Sequence, residues 1–325
     1  MLVIVVRRLA TATVTLLLVT SLVFCLIHLA PGEPLGMGPE DEGLMRIGEE
    51  ARAELRALYH LDEPLPRQYL LWFSDLIRGD LGRSFYDRRP VAQKIGERIG
   101  ITLALNVCSM TLLLLVAVPL GTFAAIRPGS MWDRFAAGSM YLLYAVPVFW
   151  AGLLLQILFA VQLGWLPLAG LRSGDHELLV GLAALGDRAV HLVLPVVCLS
   201  YGGLAYVSRF VRATLLENAS GDSWRAARAR GLSLVGVLYR HGFRQAGVPL
   251  LTLAGFLLPS MVGGSVIVET IFAIPGVGRL FVDAAFQRDV PVLLGLTLLS
   301  GAATLVGILL ADLAYFVVDP RIRRA

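Results

Sequence analysis

The chain has 325 residues, 57% of them hydrophobic and only 16% charged, with a net charge of +4 and a mean hydropathy of +0.73. A soluble domain carries about a quarter charged residues, so this composition excludes an ordinary soluble domain if the apolar residues come in blocks long enough to cross a bilayer, about 20 residues each. Three cysteines, Cys25, Cys108 and Cys198, are too scattered for a metal motif or a disulfide framework and read as small apolar packing residues.

Marking every charge leaves six such blocks. The first, residues 9–32, lies between Arg8 and Glu33. Its apolar run is longer than a signal-peptide core, and "CLIHLAPGEP" offers no small-x-small cleavage site, so it reads as a retained span.

Residues 31–100 follow as a long segment with helical patterning of its own. "EEARAELRALYHL" (49–61) is rich in helix formers and stops before "DEPLP". In "RQYLLWFSDLIRGDLG", Tyr69, Leu70, Trp72, Phe73, Leu76 and Ile77 alternate with charges. That stripe suits either the lipid headgroup zone or a small packed subdomain. "RRPVAQKIGERIG" leads into the next span with Val91, Ile95 and Ile99 on one helix face.

The second and third blocks are residues 99–126 and 135–171. "LLVGLAALG" (178–186) is too short to cross and reads as a surface or interfacial segment. The remaining blocks are 189–208, 245–268 and 290–311, giving an all-α integral membrane protein with six spans. Asn106, Gln156 and Ser200 are polar spots inside spans, suited to a lumen or to bonds between helices.

With an even number of spans, both termini share a side. If that side is the cytoplasm, it holds fourteen arginines against Asp133, Glu217, Asp222 and Asp319, whereas the outer segments hold 14 basic residues against 18 acids, with Glu269 and Asp312 at the span ends left aside. The short loops agree with the positive-inside rule, so both ends read as cytoplasmic.

The most basic interruption is "SWRAARARGLSLVGVLYRHGFRQAG", Ser223 to Gly247, with five arginines. Asp222 or Ser223 can cap a first helix, and Gly231 permits the positive φ of a tight helix end. Ser233 can cap a second helix, in which Leu234, Val237, Leu238 and His241 share a face. A DNA-binding helix–turn–helix does not fit, because the segment 209–244 is clamped between spans and too short for its own core. A plain solvated loop would not need two capped helices.

The chain's one lysine is Lys94, in "AQKIG", so the phosphate-binding loop G-x-x-x-x-G-K-[ST] cannot be formed. HExxH, GxSxG and paired-cysteine zinc signatures are also missing from the sequence. Nucleotide energy, if it drives this protein, comes from a partner. Late in the chain, Glu269 precedes "TIFAIPGVG", where Pro275 and Gly276 suggest a re-entrant or gate-like turn. Glu269 reads either as a pathway residue or as a carboxylate capping that turn. Asp312, near the inner end of the last span, reads as a structural partner of an interfacial arginine or as a substrate contact.

Several stretches, in order, resemble one family: the inner-membrane permease subunits of binding-protein-dependent ABC importers, in the branch that moves dipeptides, oligopeptides and nickel. They are "RRLATATVTLLLVTSLVFCLIHLAPGEP", "LDEPLPRQYLLWFSDLIRGDLGRSFYDRRPV", "GTFAAIRPGSMWDR", "RAARARGL" with "RHGFRQAGVPLLT", "GGSVIVETIFAIPGVGRLF" and "DLAYFVVDPRIR". The resemblance implies a type I (MetI-like) importer permease: an extra N-terminal helix (1–30), an external segment (31–100) and a five-helix core (101–325) with a coupling loop at 209–246. Aligned on Gly231, the family's Glu-Ala-Ala-x-x-x-Gly pattern falls on Arg225, Ala226, Ala227 and Gly231, and its later Ile-x-Leu-Pro on His241, Gly242, Phe243 and Arg244. The motif is degenerate, and no acid-mediated contact carries over.

By the same resemblance, the residues that enter a cleft of an ATPase subunit are Trp224, Arg225, Ala226, Ala227, Arg228, Ala229, Arg230, Gly231, Leu232 and Ser233. The implied partners are a second homologous permease, two ABC ATPases that use ATP–Mg, and an extracytoplasmic substrate-binding protein. The implied place is a bacterial inner membrane, with no nucleic acid, no cofactor and no catalytic site in this chain. The alternatives are a nickel or other solute permease of the same family, or an ATP-independent secondary transporter or channel.

Overall fold

The computed structural model describes residues 2–29, 56, 62–219, 226–227, 229–237 and 265–318. Among these, every named element is helical, and the one β feature is an isolated bridge between Arg83 and Pro90. The chain divides into two compact units, Met1–Ile99 with Leu280–Ala302, and Gly100–Arg279 with Ala303–Ala325.

In the first unit, helix α1 (Leu2–Leu29) carries the first apolar block. Helix α2 (Leu65–Ile77) begins behind Pro64, which fixes the entry, and ends at Gly79 with φ 79°. Its aromatic stripe packs on α1. The rings of Tyr69 and Trp72 each lie 5.4 Å from that of Phe24, and the Tyr69 and Ser21 hydroxyls are 2.6 Å apart. Of the two readings of the stripe, the packed one describes these rings, while Leu70 and Ile77 stay exposed. The core of this unit joins Phe24, Phe85, Val290 and Leu294.

Helix α3 (Val91–Ile126) has 36 residues, about 54 Å at 1.5 Å per residue, so it exceeds a hydrocarbon core of about 30 Å. Its opening turns carry the predicted face: Val91 and Ile95 are buried against Gly295, where an added Cβ would come within 2.7 Å of Val91.

The third block differs from expectation. Residues 135–171 do not form one straight span. Helices α4 (Met131–Ala145) and α5 (Val148–Leu155, continued as a π-helical turn over Gln156–Gln162) meet at a bend of 96°. The cause is local: Pro147 has no N–H to continue the ladder and holds Val146 extended, with ψ 121°. The Tyr201 hydroxyl donates to the Val146 carbonyl at 2.8 Å, satisfying an acceptor that the break frees. Helix α6 (Leu182–Ala219) starts earlier than the fourth block, so the second half of "LLVGLAALG" is its first turn. Leu178, Val180 and Leu182 there are strongly exposed, as expected of an interfacial segment.

After α6 come a short helix α7 (Leu234–Val237), helix α8 (Val266–Ile271), helix α9 (Val277–Phe286) and the long apolar helix α10 (Val290–Val318). By length and composition, four described helices can cross a membrane, or five if the bent pair counts as one. Most of the fifth block, residues 245–264, lies outside the described residues, as do 49–55 and 57–61 of the external helix.

Among its described residues, the second unit shows two apolar cores. One joins Leu113, Ala117 and Ala125 of α3 to Val207, Val211 and Leu215 of α6, together with Ala227 and Val237. Gly121 makes this approach possible: a Cβ there would strike the Ser208 carbonyl and the Val211 side chain. The other core joins Leu105, Leu194, Cys198, Tyr201, Val268, Phe272 and Ile274. Cys198 therefore packs as expected, whereas Cys25 and Cys108 are exposed on this chain.

Candidate coupling surface and outer turns

The basic loop is built around one turn. Residues Ala226, Ala227 and Ala229 are helical. The Arg230 N–H donates to the Ala226 carbonyl at 3.3 Å and the Leu232 N–H to the Ala227 carbonyl at 3.4 Å. Gly231 has φ 82°, the left-handed conformation its position predicts for a helix end. Nothing lies within 4 Å of a Cβ built on it, so a side chain there would meet conformational strain rather than a clash. Beyond the turn, the Ser233 hydroxyl accepts from the Gly236 N–H at 3.1 Å, an N-cap for α7.

Burial sorts these residues into anchors and surface. Ala227 and Val237 are fully buried, Leu232 is half-buried, and Ala226, Ala229, Arg230, Gly231 and Ser233 are exposed. Alanines at i and i+3 lie on one helix face, so Ala226 and Ala229 form a small, smooth surface that another backbone can approach closely. The Arg230 guanidinium folds back to donate to the Ala226 carbonyl at 3.1 Å. Trp224, Arg225 and Arg228 lie outside the described residues, as do Leu238 and His241–Arg244.

An ion pair braces this region and was missed by reading charges only as topology. Asp133 accepts two hydrogen bonds from Arg212, at 2.8 and 2.7 Å, and a third from the Gly129 N–H at 2.8 Å. The pair joins the α3–α4 turn to the last turns of α6. The available signal was Ser130-x-x-Asp133, a capping pattern, and the Ser130 hydroxyl does accept from the Asp133 N–H.

Glu269 occupies a second polar site and has no exposed surface. One carboxylate oxygen accepts from the Thr102 hydroxyl at 2.9 Å and the other from the Arg279 N–H at 3.0 Å. Thr102 in turn accepts from the Val277 N–H at 2.8 Å. The carboxylate and Thr102 together satisfy donors of the first turn of α9, which have no partners within the helix. Gly276 must be small, because its Cβ would strike that carboxylate, and Pro275 lies in the turn between α8 and α9. This geometry is that of a cap. Gln156 is a bond between segments: its amide donates to the Leu168 carbonyl at 2.8 Å and the Ile271 carbonyl at 3.1 Å. The Ser200 hydroxyl returns to its own helix, at the Val197 carbonyl. The side chain of Asp312 lies outside the described residues.

A third cluster, in the first unit, surrounds Lys94. Asp289, 1% exposed, accepts from the Ser84 hydroxyl and from the Phe85 N–H at 3.0 Å. Lys94, 6% exposed, donates to Ser84 and Asp87, both at 2.9 Å, and lies 3.9 Å from Asp289. Three donors on one compact ammonium suit three acceptors around a point. Burial pushes the Asp87 carboxyl up, but the hydrogen bonds from Lys94 and Ser84, with the lysine charge, pull it down further, so it sits below its ordinary value.

Residues 117–324 match the family described as "Binding-protein-dependent transport system inner membrane component", and residues 1–106 match its N-terminal companion family. The chain belongs to this family of inner-membrane transport components. The oligopeptide transport system permease protein AppB of Bacillus subtilis (strain 168) is 37% identical, over 98% of each chain. A probable peptide ABC transporter permease of Sinorhizobium fredii is 40% identical, again over 98% of each. The dipeptide transport system permease DppB of Escherichia coli (strain K12) is 35% identical over 98% of this chain and 97% of its own. A chain of the inward-facing MetNI methionine ABC transporter shares the fold, with a TM-score of 0.56 at 19% identity, covering 70% of this chain and 97% of that one. The sequence resemblance to importer permeases, drawn from scattered stretches, therefore holds along the whole chain.

Proposed function

We propose that this permease forms half of the translocation pathway of an ATP-driven importer for dipeptides, oligopeptides or a related small solute. The three relatives, named for peptide transport at 35–40% identity over nearly the whole chain, support the substrate class. In this reading the chain crosses the membrane six times, counting the block at 245–268, with both ends in the cytoplasm. The first span and the segment 31–100 are additions to a five-span core. A second homologous permease completes the pathway, two ATPases bind ATP–Mg inside, and an extracytoplasmic protein delivers the solute. This chain hydrolyses no ATP and holds no cofactor.

The observation that carries the reading is the Gly231 turn. It presents Ala226 and Ala229 outward while Ala227 and Val237 fix it to α3 and α6. A helix so placed can enter a cleft on an ATPase and pass its movement to the ends of the spans. Arginines beside it suit an acidic partner surface. The orientation is tested by cysteines at Ser74 and Ser233 in a chain cleared of its native cysteines. In intact cells an impermeant thiol reagent should label Ser74→Cys, and Ser233→Cys only after permeabilisation. The reverse pattern would refute the orientation.

A further inference from the structure

Arg209 stands at the inner end of the fourth apolar block, on α6. Its guanidinium lies over the ring of Tyr141 on α4, 4.9 Å from the centroid. Side chains on a helix lean toward its N-terminus, which for α6 is the outer end in the orientation given above. Arg209 therefore leans into the bilayer and not out to water. Among the described residues it has no carboxylate partner. Asp133, which lines the same crevice between α4 and α6, is taken up by Arg212 at 2.8 and 2.7 Å. A guanidinium at the edge of the hydrocarbon requires a counter-charge or a polar cavity.

The flank of α4 beneath Arg209 adds a second positive charge. Arg134 and Tyr141, at i and i+7, share one side of the helix, about 10 Å apart along its axis. Arg134 is exposed. Between the two, Gly138 leaves a notch, since nothing lies within 4 Å of a Cβ built on it. Leu142, next to Tyr141, and Tyr206, one turn from Arg209, are strongly exposed. Leucine and tyrosine exposed at the end of a span mark a surface that meets lipid, not a water-filled path. Guanidiniums on two sides of a notch suit one phosphate, because each offers paired N–H donors.

We propose that Arg134 and Arg209, across the Gly138 notch, bind the phosphate of an anionic phospholipid of the inner leaflet. This rests on the orientation proposed above, which puts both arginines on the cytoplasmic side. The cytoplasmic leaflet carries a negative surface potential, and basic pockets between spans on that side take anionic headgroups. The lipid joins α4 to α6 beside the Asp133–Arg212 pair, at the end of α6 that leads to the Gly231 turn.

The test uses the complete transporter, purified in neutral detergent and titrated with phosphatidylglycerol or phosphatidylcholine, with bound lipid counted by native mass spectrometry. The parent should take up phosphatidylglycerol in a saturable, salt-sensitive step for which neither phosphatidylcholine nor inorganic phosphate competes. One arginine near an anionic surface contributes about a fivefold preference. Arg134→Gln/Arg209→Gln should therefore weaken the step by about thirtyfold, while both permeases stay together and melt as the parent does in phosphatidylcholine. Gly138→Trp fills the notch with the charges intact and should also weaken it.

Unchanged phosphatidylglycerol uptake by either variant overturns the proposal. Loss of the second permease from the glutamine variant overturns it too, since the flank is then a contact between subunits. So does loss of solute uptake with lipid binding intact, since the arginines then line the pathway. Labelling of Ser233→Cys in intact cells would refute the orientation itself, a result separable from equal lipid binding by parent and variants.

Discussion

Ala227 and Val237 stand on opposite sides of the Gly231 turn, and both are fully buried in the one apolar cluster formed by α3 and α6. Two anchors ten positions apart in sequence, joined by a left-handed glycine, make the turn a rigid projection from the ends of two long helices. Movement of the projection must then move the helices, because packed interiors resist local deformation.

Gly231→Val tests that rigidity. The substitution meets no neighbour, but a β-branched residue at φ 82° is strained, by about 1–3 kcal/mol. The chain should insert normally, retain its ATPase subunits poorly on purification, and lose uptake. Gly231→Asn, which tolerates the left-handed region, should recover much of both. Equal assembly and uptake by the valine variant would show that the turn transmits nothing.

Glu269→Gln and Glu269→Ala separate a cap from a pathway residue. Glutamine keeps an acceptor for the first turn of α9 and should retain most uptake. Alanine leaves buried donors unsatisfied and should lower the melting temperature, with a loss of about 1–3 kcal/mol. A glutamine variant that melts like the parent but transports nothing would assign Glu269 to the pathway instead.

Asp87 makes the outer cluster sensitive to acid. Its folded-state carboxyl lies below the ordinary value of 3.8, so its contribution is complete at pH values well above 3.8 and is lost as pH falls through the depressed folded value. The melting-temperature difference between the parent and Asp87→Asn should therefore be constant near neutrality and shrink in strong acid. A difference that instead grows on acidification would reverse the sign and exclude this ion pair as its source.

How much of this was legible follows from where the partners lie. The Gly231 turn could be read because its determinants are local: helix formers, then glycine, then a capping serine. The break at Pro147 was present in the sequence, but marking blocks by charge alone hid it inside residues 135–171. The Lys94 cluster was illegible, since Ser84 and Asp289 are 205 positions apart. Thr102 and Glu269 are separated by 167, and no local pattern links a span's threonine to a remote turn. Asp133 lay between the two cases, with its cap readable and its arginine partner on α6 not.

The most direct measurement of the account is site-specific cross-linking from the exposed alanine face to the ATPase. With Cys25, Cys108 and Cys198 replaced, Ala229→Cys in the assembled transporter should form an adduct with an ATPase subunit, and its yield should change when ATP is added. Ala227→Cys, whose position is fully buried, should form little or none. Absence of any adduct from Ala229→Cys in an assembly that hydrolyses ATP and transports would contradict the coupling role of the Gly231 turn.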